Sequence, residues 1–107
     1  MPPALPETLP ANLSRRALAD LVRILRDSQR EWGLHTARRT RARLLAGFAQ
    51  IAEGAAVGHE RRDVKPRTPT LFLVEGPWVI AYDPTKRQVL RILHGAMDFP
   101  AIFPKRD

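Results

Sequence analysis

Eight side chains in the C-terminal half of this sequence are of types that can move protons or hold a phosphate: Arg61, Arg62, Lys65, Arg67, Tyr82, Arg91, His94 and Asp98. Cutting a phosphodiester without a metal has three requirements. Cations must stabilise the charge that develops on the phosphorane, a base must take the 2′-OH proton, and an acid must protonate the leaving oxygen. Arg, Lys, His and Tyr can meet them. The same residues also have plainer readings. Tyr82 shares a strand side with Trp78 and Ile80, which suits a core aromatic with its hydroxyl at the rim. His94 suits a strand-end histidine hydrogen-bonded to its surroundings, and Arg91 between Val89 and Leu93 suits a solvated position on an open sheet face.

Other chemistries lack their residues. The chain has no Cys, which excludes disulfides, thiolate metal sites and a cysteine nucleophile. His35, His59 and His94 are far apart, with no metal-ligand spacing, and no Gly-rich phosphate loop precedes a helix. Ser14 and Ser28 read as a cap and a helix-face residue. The expectation is a protein with neither metal nor cofactor.

The 107 residues carry 18 Lys+Arg against 11 Asp+Glu, a formal charge of +7. Such a surface attracts polyanions: nucleic acid, an acidic protein segment or an anionic membrane. Fifteen of the cations are Arg, which favours bidentate contacts with phosphate or carboxylate over simple solvation. The excess is spread evenly over both halves, so it belongs to the folded part. No apolar run approaches the roughly 20 residues of a spanning helix. The first ten residues carry no positive charge and include four prolines, unlike a signal peptide. Together with the missing Cys, this fits a cytoplasmic protein.

The elements that must position these side chains can be read in order. Residues 1–13 form a Pro-rich arm or an irregular edge strand, because Pro6 and Pro10 forbid a helix or a central strand. Leu5, Leu9 and Leu13 could still dock at a core edge. Ser14 is placed to cap a helix running to Trp32, with Leu18, Leu21, Leu25, Ser28 and Trp32 on one face and Ala17 and Val22 beside it. Arg16–Asp20 and Arg23–Asp27 are possible i,i+4 pairs. Gly33 stops this helix, and after a two-residue link a second runs from about Thr36 to Glu53, burying Ala37, Leu44, Phe48 and Ile51. Arg41 falls on the same side, where either its stem snorkels over the core rim or its head meets a carboxylate or ligand. The loop 54–69 is rich in Gly, Pro and charge. Strands follow at Leu71–Val74, Trp78–Tyr82 and Gln88–His94, joined by the turns Glu75-Gly76-Pro77 and Asp83-Pro84-Thr85-Lys86. On the last strand, Leu90, Ile92 and His94 share one side and Val89, Arg91 and Leu93 the other.

This layout predicts an α+β domain over residues 14–103. A helical hairpin covers one face of a small antiparallel sheet, the other face is exposed or covered by a partner, and residues 104–107 fray.

Two segments carry a family resemblance. Leu13-Ser14-Arg15-Arg16-Ala17-Leu18-Ala19-Asp20-Leu21 resembles the start of the first helix in the RelE/ParE toxins of type II toxin–antitoxin systems. Trp78-Val79-Ile80-Ala81-Tyr82, followed by Val89-Leu90-Arg91-Ile92-Leu93-His94-Gly95-Ala96-Met97-Asp98, is similar to that family's C-terminal strands. The resemblance implies a toxin that stabilises plasmids and is neutralised by a cognate antitoxin. RelE-like members are metal-independent ribonucleases acting on mRNA at the ribosome, a role in which Arg67, Arg91 and His94 would be the cationic and acid/base groups. ParE-like members inhibit DNA gyrase by binding. Gly95 after His94 looks more like the ParE side. Met97 stands where the family usually has Arg, and Thr70-Leu71-Phe72-Leu73 is apolar where many relatives place an Arg. Both departures point away from the ribonuclease. The eight residues named at the outset then become the expected contact surface for target or antitoxin.

Overall fold

A computed structural model describes residues 5–6 and 8–103. The elements in order are β1 (Asn12–Leu13), α1 (Arg15–Trp32), α2 (Leu34–Glu53), β2 (Leu71–Glu75), β3 (Trp78–Asp83), β4 (Gln88–His94) and α3 (Phe99–Ile102). The two long helices pack on a four-stranded sheet of order β1-β4-β3-β2. The three C-terminal strands are antiparallel, as their turns require. The short β1 pairs with β4 in parallel, which makes the sheet mixed. Residues 1–4, residue 7 of the arm and the tail 104–107 lie outside the described residues; Leu5, Leu9, Ala11 and Leu13 rest against the helix-side core.

Ser14 joins sheet to helix. Its Oγ accepts from the Ala17 amide at 3.0 Å, capping α1, and donates to the Leu90 carbonyl at 2.8 Å. α1 buries Ala17, Asp20, Leu21, Ile24, Leu25 and Ser28. This stripe is rotated from the expected one: Leu18 and Val22 are each 42% exposed and Trp32 is 71% exposed. The hairpin between the helices is also tighter than expected. Gly33 alone ends α1 and begins α2 at a φ of +93°, a conformation open to glycine and strained for other residues. In α2 the inward residues are Ala37, Leu44, Gly47, Phe48 and Ile51. Gly47 lets the helix lie close on the sheet, since a Cβ there would come within 2.8 Å of Ile80 Cδ1. At the far end Arg87 donates to the Ala52 carbonyl at 3.1 Å, a cation at the negative end of the helix.

The helix-side core holds Leu21, Leu25, Leu44, Phe48, Ile51, Ile80 and Ile92, all essentially inaccessible to solvent. Each such side chain contributes about 1.5–3 kcal/mol by burial. The alternation expected along β4 holds from Arg91 to His94 and breaks before it. Ala81 pairs with Arg91 and Tyr82 with Val89, so Leu90 is an extra residue and Val89 turns to the helices with Ile92.

The opposite face of the sheet corrects a further expectation, because the chain closes it itself. Phe72, Val79, Ala81 and Leu93 are buried there under Val64 from the long loop and Phe99 from α3, with Ile102 and Phe103 alongside. Phe72 meets Phe103 edge-on at 5.5 Å. A loop and one turn of helix provide the second layer that the sequence reading had left open or to a partner.

Candidate functional site

The sheet divides the eight residues among separate places. Arg91 pairs with Ala81 on the loop side of β4, but its guanidinium turns around the strand edge to Asp20 on α1. Its Nε lies 2.8 Å and its Nη2 3.3 Å from the carboxylate oxygens. Asp20 Oδ2 also accepts from the Ile92 amide at 2.9 Å. The reason is local. β1 is only two residues long, so past Val89 the edge of β4 has no strand neighbour. Ser14 takes the Leu90 carbonyl and Asp20 takes the Ile92 amide, and the first turns of α1 replace the missing strand. The Asp20 side chain is 4% exposed and that of Arg91 18%. A carboxylate so buried is held by its hydrogen bonds and its two arginines, Arg91 and Arg23, the latter at 3.3 Å.

Asp20 is the residue that sequence reasoning missed. Spacing alone pairs it with Arg16 at i,i+4. It lies three residues after Ala17 and four before Ile24, both buried, and that spacing was the available signal. The second expected pair also differs, since Asp27 holds Arg30 at 2.9 Å and Arg26 at 3.7 Å.

His94 stands at the other end of β4, on the helix side and exposed. Its Nδ1 accepts from the Ala96 amide at 3.1 Å, and its ring meets Trp78 edge-on at 5.5 Å. Together with Glu31, Trp32, Trp78 and Met97 it lines a cleft of about 180 Å³ between α1 and the ends of the strands. Asp98, exposed, precedes α3 without capping it through its side chain. Tyr82 is buried at the opposite end of β3, and its hydroxyl accepts from the Gly58 amide at 3.1 Å, pinning the start of the long loop.

The remaining cations belong to that loop. Arg61 makes two hydrogen bonds to Asp63, at 2.9 and 2.8 Å, and its guanidinium lies 3.8 Å from the centre of the Phe99 ring. Hydrogen bonding from Arg61 holds the Asp63 carboxyl below its ordinary pKa. Arg62, Lys65 and Arg67 are exposed. Arg67 borders a hollow of about 390 Å³ with Glu60, Thr68, Thr70 and Phe72.

No described hollow is lined by more than one of Arg67, Arg91 and His94. Arg67 borders the hollow of about 390 Å³ and a second one shared with Leu90 and Phe103, His94 lines the cleft beside α1, and Arg91 is held in its ion pair with Asp20. Among the described residues no group of three His, Asp or Glu side chains could hold a metal ion.

The family model of the ParE toxin of type II toxin-antitoxin system, parDE, matches residues 11–99, from just before β1 to the first residue of α3. No curated protein matches the chain.

Proposed function

The chain belongs to the ParE toxin family of type II toxin–antitoxin systems, and from that premise we propose that it poisons by binding rather than by cutting, with DNA gyrase as its target and a cognate antitoxin as the partner that silences it. The observation that carries the binding mode is Arg91. Its guanidinium is held by a buried Asp20, so the cation that a nuclease reading would place beside His94 is already engaged. Met97 in the C-terminal motif argues in the same direction. The mode requires no metal or cofactor. It leaves Arg62, Lys65, Arg67, His94 and Asp98, all exposed, as contacts for target or antitoxin. Gyrase works on cytoplasmic DNA, so the chain would act there; among the described residues no helix is long and apolar enough to cross a membrane. Growth inhibition and its relief by an antitoxin would give the plasmid-stabilising behaviour of such modules.

The test is a supercoiling assay with purified protein, run beside a ribosome-programmed mRNA cleavage assay. Inhibited supercoiling with intact mRNA is the expected result. Untouched supercoiling at micromolar protein would overturn the gyrase target. Cleaved mRNA, abolished by His94→Ala, would replace the binding mode with the ribonuclease.

A further inference from the structure

Three of the five arginines of α1, Arg23, Arg26 and Arg30, are paired to acids of the same helix, and among the described residues Arg15 and Arg16 are not. Along α2 the sequence supplies no acid between Leu34 and Ala52. Arg39 and Arg43 stand one turn apart on its exposed face, and neither has an ion-pair partner among the described residues. Thr36 and Thr40 form a parallel row, half-buried. Facing them is the β2–β3 turn, where Pro77 and Trp78 close a hollow of about 360 Å³. The Arg43 guanidinium lies over Gly76, where a Cβ would collide with it, so the turn holds this cation at the rim.

We propose that this hollow binds the backbone of a single-stranded nucleic acid, with Arg39 and Arg43 pairing to neighbouring phosphates and a base resting on Trp78. Three observations converge on that ligand. Residues i and i+4 on a helix stand about 6 Å apart, comparable with the step between successive phosphates of a strand. Arginine donates in a fork that fits phosphate oxygens, and the two threonine hydroxyls add donors at the floor. An indole wall beside a cationic track is the arrangement that holds unpaired bases, because stacking accepts any base. A duplex would offer the phosphates but keep its bases from Trp78. The site lies on the helix side, away from the loop cations Arg62, Lys65 and Arg67, and needs no part of the gyrase proposal.

The experiment measures binding of a fluorescein-labelled single-stranded oligonucleotide to the full chain by anisotropy, across a salt series. Arg39→Glu/Arg43→Glu is compared with Arg62→Glu/Lys65→Glu, which makes the same change in net charge on the loop. Loss of two phosphate contacts is expected to weaken binding about tenfold or more at low salt and to reduce the salt slope by about 1.4. The loop pair should lose much less. The chain has two tryptophans, so Trp32→Phe leaves Trp78 as the reporter. Its emission should be quenched by the oligonucleotide and much less by duplex of equal length. Equal losses in the two charge-matched pairs would mean that net charge alone drives binding, and would overturn the proposal. Unchanged Trp78 emission at saturation would overturn it as well.

Discussion

On the helix side, the sheet is covered by two helices of 18 and 20 residues that bury Leu21, Leu25, Leu44 and Phe48 against Ile80 and Ile92. On the other side a loop and four residues of α3 cover it, with Val64 and Phe99 as the buried contacts and Arg61 laid over the Phe99 ring. The first cover is long, regular and apolar. The second is short, and part of it is held by a cation and an ion pair at the surface. Among the described residues the helix side gathers twelve buried apolar residues and the loop side six, so most of the apolar burial lies under the helices.

Substitutions can separate the two sides. Phe48→Ala, at the centre of the helix side, is expected to cost about 3–5 kcal/mol and to lower the urea midpoint of the whole domain. A loss under 1 kcal/mol would mean that the helix layer is not the principal core. Asp20→Ala is expected to cost about 3–4 kcal/mol, because it strands the Ile92 amide and leaves Arg91 half-buried without its counter-charge. Asp20→Asn keeps an acceptor for Ile92 and should cost less, which equilibrium unfolding of the two variants would compare. Ser14→Ala removes both the α1 cap and the donor to Leu90, a loss of about 1–2 kcal/mol. Amide exchange at Ala17 should then rise ahead of the rest of α1.

The loop side should respond more weakly. Arg61→Ala removes the contact with Phe99, worth about 0.5–1 kcal/mol at an exposed site. Faster amide exchange confined to residues 61–64 and α3 is the expected sign, whereas a global loss would put the two sides on equal footing. The smallest effect is on pH dependence. The Asp63 carboxyl is depressed by its hydrogen bond from Arg61. Its contribution is therefore present above the ordinary carboxylate pKa and fades as pH falls through its lower folded value. Asp63→Asn should remove that part of the acid sensitivity, measured as a flatter stability curve on the acid side.

Much of the architecture was legible in the residues. Ser14, Gly33 and the two turn sequences fall where they punctuate the chain, because a cap, a left-handed φ and a tight turn each need specific side chains locally. The stripe of α1 was misplaced for a physical reason. Leu18 and Val22 are as apolar as Leu21 and Ile24, and periodicity finds a face without finding what it will meet. Burial of Asp20 and Ile24 in place of Leu18 and Trp32 depends on the edge of β4 and on where α2 lies. The bulge at Leu90 has no marker such as Gly in the strand itself, so the alternation expected at Val89 and Leu90 failed there.

The candidate site was less legible than the fold. Arg61, Arg62, Lys65 and Arg67 are neighbours in sequence and remain so on the loop, but Tyr82, Arg91 and His94 go to three different places. Periodicity alone turns Arg39 and Arg43 away from the core of α2, but their setting is made by Pro77 and Trp78, more than thirty residues away.

By itself the sequence determined the local elements, the cationic surface and the family pattern, since capping, turn chemistry, net charge and motif spacing are properties of nearby residues. Only the tertiary structure decided which charges are engaged and which sheet face is covered. A two-residue β1 leaves the β4 edge open, Asp20 fills it and takes Arg91 with it, and Phe99 and Val64 close the far face. Those outcomes follow from backbone groups and apolar surface that must find partners wherever the chain brings them together.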